Sequence, residues 1–303
     1  MNRFETFCAL LKREVPGLEL RQDEPMSAHT TFKVGGPAAL LALPATEQQL
    51  VSAVKLARSE GFEPLMVGLG SNLLVDDHGL ERFVIKTAPQ MNACRGEGNL
   101  LTAWAGAPLA QVANAAAEHG LTGLEFAHGI PGSLGGAVVM DAGAYGGEMR
   151  QVVRSVRALN ANCEVETLPA EQCQFGYRHS VFSDGSRMVL SAEMELQPGD
   201  VSLIRGQMAE LMAKRKEKQP LEWPSAGSTF KRPEGYFAAA LIDRCGLKGL
   251  KVGGAQVSEK HAGFVINAGG ATCHDILCLM DEVRDRVFRE TGVELEAEVK
   301  YLR

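Results

Sequence analysis

The chain lacks several features that would point to particular classes of protein. No apolar run approaches the roughly 18 residues that a membrane-spanning helix needs, and the stretch "KRE" at 12–14 interrupts the apolar segment that a signal peptide would require. The formal net charge of −6 disfavours broad nucleic-acid binding, which calls for a basic face. These absences predict a cytoplasmic protein that acts without nucleic acid or membrane.

Cysteine occurs, but not in a pattern typical of metal or redox sites. The seven cysteines are scattered along the chain, and no two of them form a Cys-x-x-Cys pair. An odd number of cysteines without ligand spacing is typical of reduced thiols that pack in the interior. We therefore predict no metal site.

Two common nucleotide-binding signatures are also missing, although glycine is frequent. The segment "GLGSNLL" (68–74) follows an apolar stretch, but Leu73 stands where a dinucleotide fingerprint has its third glycine. No GK[ST] follows, so this is not a Walker loop. A glycine turn after a strand can still present backbone N–H groups to an anion, and spacing alone leaves a phosphate loop and a plain turn equally open.

A second glycine-rich segment, "GIPGSLGGAVVMDAGAYGG" (129–147), adds weight to the phosphate interpretation. Two glycine loops without lysine suit a diphosphate that is held by backbone amides, whose dipoles would balance its charge.

The pattern of apolar residues predicts both helices and strands. Amphipathic or capped helices are expected at these places: residues 4–14, "EQQLVSAVKLARSEG" after a capping box of Thr46 and Gln49, "LAQVANAAAEHG" ending at Gly120, Asp200 to about Lys218, "YFAAALIDRCG" and "CHDILCLMDEVRDRVFRETG". Strands are expected at these: "TTFKVGGPAALLAL" (30–43), "RFVIKT", "NLLTAWAG", "VVRSVRALNA", "EVETL", "RMVLSAEMEL", the pair within "GGAQVSEKHAGFVIN", and "VELEAEVKYL". At 303 residues the chain can hold two or three domains, and the class is α+β.

Seven motifs in order resemble those of the UDP-N-acetylenolpyruvoylglucosamine reductase (MurB) family. They span residues 30–302: "TTFKVGGPA", "VGLGSNLLVDDHG", "GLEFAHGIPGSLGGAVVMDAGAYGGE", "FGYRHSVF", "SAGSTFKRP", "VGGAQVSEKHAGFVIN" and "LEAEVKYL". The resemblance implies an FAD-binding fold of the vanillyl-alcohol oxidase (PCMH) type plus a C-terminal α+β substrate domain. The implied division is 1–58 and 59–199 for two FAD-binding subdomains, with the FAD region at about 30–196, and 200–303 for the substrate domain.

The resemblance also implies non-covalent FAD and NADPH as co-substrate. The residues implied to line FAD are Val34, Gly35, Gly36, Gly68, Gly70, Ser71, Asn72, Leu73, Gly132, Ser133 and Gly136. The implied reaction reduces the enolpyruvyl group of UDP-N-acetylglucosamine enolpyruvate to UDP-N-acetylmuramate for peptidoglycan. No oligomer is required.

Three residues are implied to be catalytic, and each has a plainer interpretation from sequence alone. Arg178 would bind the substrate carboxylate, although most arginines form surface salt bridges. Ser228 would donate the proton, although a Gly-Ser turn is the more common meaning of its context. Glu298 would hydrogen-bond the substrate carboxylate or a nearby water, although strand alternation alone favours a solvent-facing carboxylate.

Two further residues are implied to contact substrate. Lys218 ends the basic run "AKRKEK" (213–218), which could equally be an ordinary charge cluster at a helix C-terminus or a clamp for the diphosphate. The resemblance implies that Tyr177 contacts the same ligand.

Some positions depart from the family pattern. Asp141 stands where the family commonly has Asn, and Arg232 where one branch has Asn. Only "SDGSR" separates "YRHSVF" from the next predicted strand, so the chain resembles the branch that lacks a tyrosine-bearing loop over the substrate. Two other functions stay open at this point: a different FAD oxidoreductase on the same fold, and a nucleotide-sugar-binding protein without redox activity.

Overall fold

The computed structural model describes residues 2–303, which form seven α-helices. The helices are α1 (Arg3–Glu14), α2 (Glu47–Ser59), α3 (Leu109–Glu118), α4 (Leu134–Val139), α5 (Val201–Lys218), α6 (Ala238–Arg244) and α7 (Cys273–Thr291).

The strands are mostly short and antiparallel. They are β1 (Glu19–Pro25), β2 (Pro37–Leu43), β3 (Leu65–Val67), β4 (Leu73–Val75), β5 (Leu80–Lys86), β6 (Cys94–Glu97), β7 (Leu100–Trp104), β8 (Leu121–Thr122), β9 (Gly143–Ala144), β10 (Gly147–Glu148), β11 (Val153–Leu159), β12 (Val165–Pro169), β13 (Met188–Glu195), β14 (Gln197–Pro198), β15 (Lys251–Val252), β16 (Ala255–Val257), β17 (Val265–Asn267) and β18 (Lys300–Leu302). A four-stranded sheet has the order β1-β2-β5-β3, and β3 runs parallel to β5.

The chain folds into two compact units. The larger unit comprises the described part of Met1–Gln22, Leu40–Leu69 and Arg82–Lys214. Its five-stranded antiparallel sheet has the order β12-β11-β13-β7-β6, and one apolar cluster includes buried residues of this sheet together with α3 and α4. A second cluster joins the buried faces of α1 and α2 to residues of β2 and β5. Burial of these apolar faces is the main stabilising contribution to the unit.

The smaller unit comprises Asp23–Ala39, Gly70–Glu81 and Arg215–Arg303. Its core includes α6, the buried stripe of α7 and the three-stranded sheet β15-β16-β17. A separate parallel pair joins β18 to β4, so a C-terminal strand lies directly beside the segment that follows the first glycine turn.

The N-caps that the sequence predicts for α5 and α2 form, but the predicted capping box of α2 does not. The Asp200 side chain accepts a hydrogen bond from the Leu203 N–H at 3.0 Å, as the sequence predicts for the start of α5. Thr46 likewise caps α2 by accepting from the Gln49 N–H. The reciprocal half of that predicted capping box is wrong, because the Gln49 side chain accepts from the Ala45 N–H instead, at 2.9 Å.

Three predicted elements differ from the structure. A strand was expected over residues 30–43, but only β2 (Pro37–Leu43) forms. The preceding residues form a turn, because Lys33 has a left-handed backbone (φ 55°) and Thr30 Oγ1 donates to the Val34 carbonyl. The final strand is also shorter, since 293–299 makes only an isolated bridge before β18. The second glycine-rich segment contains the short helix α4, which glycine content concealed.

Candidate active site

The two glycine-rich segments contact one another in the larger unit. A Cβ atom at Gly68 would overlap the Ser133 hydroxyl, so only glycine lets the backbone of position 68 lie against Ser133. Ser133 is buried and caps α4, with its Oγ accepting from the Gly136 N–H at 3.5 Å. The close approach explains why glycine stands at 68, and it brings together residues from both sequence-predicted phosphate loops.

The backbone around Ser133 is fixed by neighbouring chain. The Gly132 carbonyl accepts from the Leu109 N–H, and the Leu134 N–H donates to the Ala107 carbonyl, at 2.9 and 2.8 Å. A Cβ at Gly135 would lie 2.9 Å from that of Ala105. The start of α4 is therefore held rigidly, as a binding backbone must be.

The remaining predicted cofactor residues lie in the smaller unit, where two loops run side by side. The Gly70 carbonyl accepts from the Thr31 N–H at 3.3 Å, and the Gly36 N–H donates to the Asp76 carbonyl at 2.9 Å. Gly70 has a φ of 67°, and a Cβ there would overlap the His29 carbonyl oxygen. Position 70 therefore requires glycine both for its backbone angle and for space.

These loops fit a bound diphosphate such as that of FAD. The Thr31 Oγ1 atom is buried and has no hydrogen-bond partner within residues 2–303, although Thr31 is bonded to Gly70 through its main chain. Buried hydroxyls normally have a hydrogen-bond partner, so the unpartnered Thr31 hydroxyl beside these glycine-rich loops is consistent with a polar ligand bound there. Residues Val34–Gly36 and Gly70–Leu73 would hold it in this unit.

Ser228 and Glu298 are brought together in the smaller unit by pairing of two distant segments. The Glu298 N–H donates to the Thr229 carbonyl and the Lys231 N–H donates to the Glu296 carbonyl, both at 2.8 Å. This pairing places the main chains of the two predicted catalytic residues next to each other. Ser228 is exposed and Glu298 is half-buried.

The same cluster includes a residue that was predicted only for cofactor binding. The Asn72 side chain donates to the Glu298 carbonyl at 3.0 Å, and the Asn72 carbonyl accepts from the Lys300 N–H at 2.9 Å. Thr229 is buried, and its hydroxyl accepts from the Val265 N–H at 2.9 Å. The main chain is thus anchored directly after Ser228 and on both sides of Glu298.

Arg178 lies in the larger unit at a corner of a two-residue turn. Gly176 and His179 exchange two backbone hydrogen bonds of 3.0 Å, which leaves Tyr177 and Arg178 as the turn residues. Arg178 has a left-handed φ of 56°, which costs a side-chain-bearing residue about 1 kcal/mol or more. Its guanidinium lies 5.1 Å from the ring centre of Tyr177, which is 50% exposed.

The loop after this turn is tied to the end of α4. The Val139 carbonyl accepts hydrogen bonds from the hydroxyls of Ser180 and Ser183, at 2.8 and 3.0 Å. Phe182 is buried in the core. These anchors hold the strained turn in place.

Lys218 is the last residue of α5 and is exposed. Other members of the basic run have partners: Lys214 donates to Glu210 at 2.6 Å, and Arg215 is buried. Lys260 donates to the Lys216 carbonyl at 2.7 Å, which adds positive charge to this helix end. The predicted ligand contact of Lys218 stays a prediction, since Lys216 of the same run is also exposed.

Comparison with known proteins identifies the family. Residues 219–302 match the model for the C-terminal domain of UDP-N-acetylenolpyruvoylglucosamine reductase, and residues 38–169 match an FAD-binding domain. A UDP-N-acetylenolpyruvoylglucosamine reductase of Clostridium perfringens is 47% identical over 302 residues, covering 100% of this chain and 99% of that protein. The chain belongs to the UDP-N-acetylenolpyruvoylglucosamine reductase family.

Other members of the reductase family agree. The reductase of Clostridioides difficile is 48% identical over 284 residues, 94% of this chain and 93% of its own length. The crystal structure of the reductase (MurB) from Thermus caldophilus superposes with a TM-score of 0.79 at 34% identity, covering 94% of this chain and 99% of that one. The predicted family, the α+β FAD-binding fold with a C-terminal domain, and the FAD cofactor are confirmed. The assignment to the branch without a tyrosine loop stays a prediction.

Sequence reasoning missed two polar contacts that support this reductase site. Asp77 accepts from the N–H groups of Cys273 and His274, at 2.8 and 3.0 Å, which adds to the N-cap that Thr272 provides for α7. Tyr301 donates its O–H to Asp76, which lowers the pKa of Asp76 to about 2 and raises that of Tyr301 to about 12. The motif "VDDHG" marks the place, but its partners are about 200 residues away and carry no local signal.

The cysteines are free thiols. Burial raises the pKa of Cys94 and Cys173 to about 11 and that of Cys273 to about 12, so these thiols stay protonated near neutral pH. Among the described residues, no three His, Cys, Asp or Glu side chains are grouped as metal ligands would be. Across the same residues, every helix is too short or too polar to cross a bilayer.

Proposed function

We propose that Arg178, Ser228 and Glu298 carry out the chemistry by which this reductase converts UDP-N-acetylglucosamine enolpyruvate to UDP-N-acetylmuramate. Bound FAD, after reduction by NADPH, supplies the hydride that reaches C3 of the enolpyruvyl double bond. Membership of the family over the whole chain is the observation that carries the function. The product is a peptidoglycan precursor.

The protein itself must meet two demands. Negative charge accumulates on C2 and its carboxylate during the reaction, so a cation must stabilise it. A proton must then reach C2, which calls for a positioned donor.

Arg178 would meet the first demand. A guanidinium binds a carboxylate through two parallel hydrogen bonds and stays charged throughout. The turn of Gly176–His179 and the anchors at Val139 support this role, because they fix the arginine despite its unfavourable backbone angle.

Ser228 would meet the second demand by donating its proton to C2. A serine hydroxyl is a weak acid, so the donation depends on C2 becoming strongly basic. Its exposure supports access to a ligand, and the pairing of its neighbour Thr229 with Glu298 supports a fixed position.

Glu298 would hydrogen-bond the substrate carboxylate or a water beside it. A carboxylate near an anion requires either a proton shared between them or a compensating cation. A water held by Glu298 is the alternative proton source if Ser228 is not the donor.

Lys218 and Tyr177 would contact the nucleotide part of the substrate. An exposed ammonium at a helix end can reach a diphosphate, and Lys260 close to the same helix end adds to its field. We also infer that FAD is held within about 30–196 and substrate largely by 200–303. We place the reaction in the cytoplasm, without nucleic acid, membrane or a second copy.

The test is the redox behaviour of the purified protein. It should be yellow, should release FAD on heating, and should turn over NADPH repeatedly only when the enolpyruvyl nucleotide sugar is present to reoxidise the flavin. A protein that stays colourless and takes up no added FAD would overturn the proposal in favour of a binding protein. Turnover with an alcohol or a lactone and oxygen, but not with the enolpyruvyl compound, would show a different FAD oxidoreductase.

A further inference from the structure

Asp141 is a buried carboxyl with one unsatisfied oxygen. The residue is 1% exposed, and its Oδ1 accepts from the Arg150 N–H at 2.9 Å. Its Oδ2 has no hydrogen-bond partner in the part of the chain that the structure describes, and Arg150 Nε lies 3.6 Å from it. Burying a carboxylate oxygen without a hydrogen bond is costly in free energy, so the presence of an aspartate at this position calls for an explanation.

Asp141 lies beside the anchor of the Arg178 loop. It follows Val139 by two residues, and the Val139 carbonyl holds Ser180 and Ser183 of that loop. Both Asp141 and Arg178 have left-handed backbones, with φ of 41° and 56°. Strained residues of this kind concentrate at functional sites. Here the two strained residues lie on segments that are connected by hydrogen bonds to the Val139 carbonyl.

Three charged groups act on the Asp141 carboxyl. Arg150 and Arg178 favour its ionised form, whereas Glu148 favours its neutral form. Burial outweighs the other effects and raises the pKa of Asp141 above its ordinary value. The carboxyl and the Arg178 guanidinium are therefore electrostatically coupled.

We infer that Asp141 is a positioning residue that sets how strongly Arg178 attracts the carboxylate of the substrate. This inference rests on the proposed role of Arg178. When Asp141 is ionised, its charge offsets part of the guanidinium field; when it is neutral, the full field acts on the ligand. Binding of a carboxylate ligand should thus tighten as the pH falls and Asp141 takes up a proton.

The test uses Asp141→Asn, which keeps the size and the acceptor for Arg150 but is neutral at every pH. Two ligands are compared by equilibrium titration of the FAD-loaded protein: UDP-N-acetylmuramate, which has the carboxylate, and UDP-N-acetylglucosamine, which lacks it. We expect the variant to bind the first about three- to ten-fold more tightly than wild type at pH 8, with no change for the second. Titrations over a range of pH should show wild-type binding tightening as the pH falls, and this pH dependence should be absent in the variant.

Two further variants make the result specific. Asp184→Asn removes an exposed carboxylate from the segment that follows Arg178 and should change neither affinity, which controls for net charge. Arg150→Met removes a cation that favours ionised Asp141, so the wild-type pH transition should move to higher pH. This variant also serves if Asp141→Asn does not fold.

Equal affinities of Asp141→Asn and wild type for UDP-N-acetylmuramate across this pH range would overturn the inference. So would an equal change for both ligands, because that indicates a general distortion. Failure of the wild-type protein to bind either ligand would instead count against the proposed function.

Discussion

Replacing Arg178 by glycine should leave the protein more stable than replacing it by alanine does, and both variants should be nearly inactive. Arg178 has a φ of 56°, a conformation that glycine adopts without strain and that other residues adopt only at a cost. Alanine at the same position removes the guanidinium but keeps the strain. Comparison of Arg178→Gly with Arg178→Ala therefore isolates the backbone term.

The size of this term follows from the backbone angle. A left-handed conformation costs a non-glycine residue about 1–2 kcal/mol, and the extra entropy of unfolded glycine offsets about 0.5–1 kcal/mol of that gain. We expect the free energy of unfolding of Arg178→Gly to exceed that of Arg178→Ala by about 0.5–1 kcal/mol. This corresponds to a Tm that is higher by roughly 2 °C for a unit of this size. Loss of two charge-assisted hydrogen bonds should lower kcat/KM in both variants by about 10²-fold or more.

The assay pairs thermal unfolding of the FAD-loaded variants with steady-state turnover. Arg178→Lys completes the set and should be nearly as inactive as Arg178→Ala, because an ammonium cannot make the two-pronged contact. If the glycine variant is less stable than the alanine variant, the turn is not strained by Arg178. If lysine restores most of the activity, charge alone suffices and the argument from orientation is wrong.

Three further outcomes are expected. Lys218→Ala should raise KM for substrate or NADPH about ten-fold with little change in kcat, and the increase in KM should be smaller at high salt. Lys214→Ala is the matched control and should leave KM unchanged. Unchanged KM values for Lys218→Ala would show that Lys218 contacts neither ligand. Asp77→Ala should lower the free energy of unfolding by about 1–2 kcal/mol, as read from urea midpoints, because two N–H groups at the start of α7 lose their acceptor. A change under about 0.3 kcal/mol would refute this contribution. Tyr301→Phe should lower the urea midpoint at pH 7. The pKa of Asp76 is about 2 when folded, against about 3.9 when unfolded, so this stabilisation is complete above about pH 4 and the two midpoints should converge as the pH falls toward 2; a difference that is independent of pH would contradict the assignment.

Elements with a strong local pattern could be predicted from the sequence. The apolar stripe of α7 and the Asp200 cap of α5 are encoded within a few residues of each helix, and both occur in the structure. The short helix α4 could not be found in this way, since two of its six residues are glycine and its start depends on backbone contacts with 105–109.

The motifs named the candidate site residues, but not their arrangement. The contact between the Asn72 side chain and the Glu298 carbonyl joins residues 226 positions apart, and no periodicity within either segment predicts it. The left-handed backbone of Arg178 was equally invisible, because the residue type normally avoids that conformation. Only the packed structure imposes it.

The measurement that tests the account most directly is the reoxidation of reduced Ser228→Ala by the enolpyruvyl substrate. Reduction by NADPH needs no proton at C2, so anaerobic bleaching of the flavin in this variant should stay close to wild type. The change removes one oxygen from an exposed side chain, so FAD content and folding should survive it. After rapid mixing of pre-reduced protein with substrate, we expect reoxidation to be about 10²–10⁴-fold slower than in wild type. A rate within a few-fold of wild type would contradict the assignment and move the proton donor to a water held by Glu298.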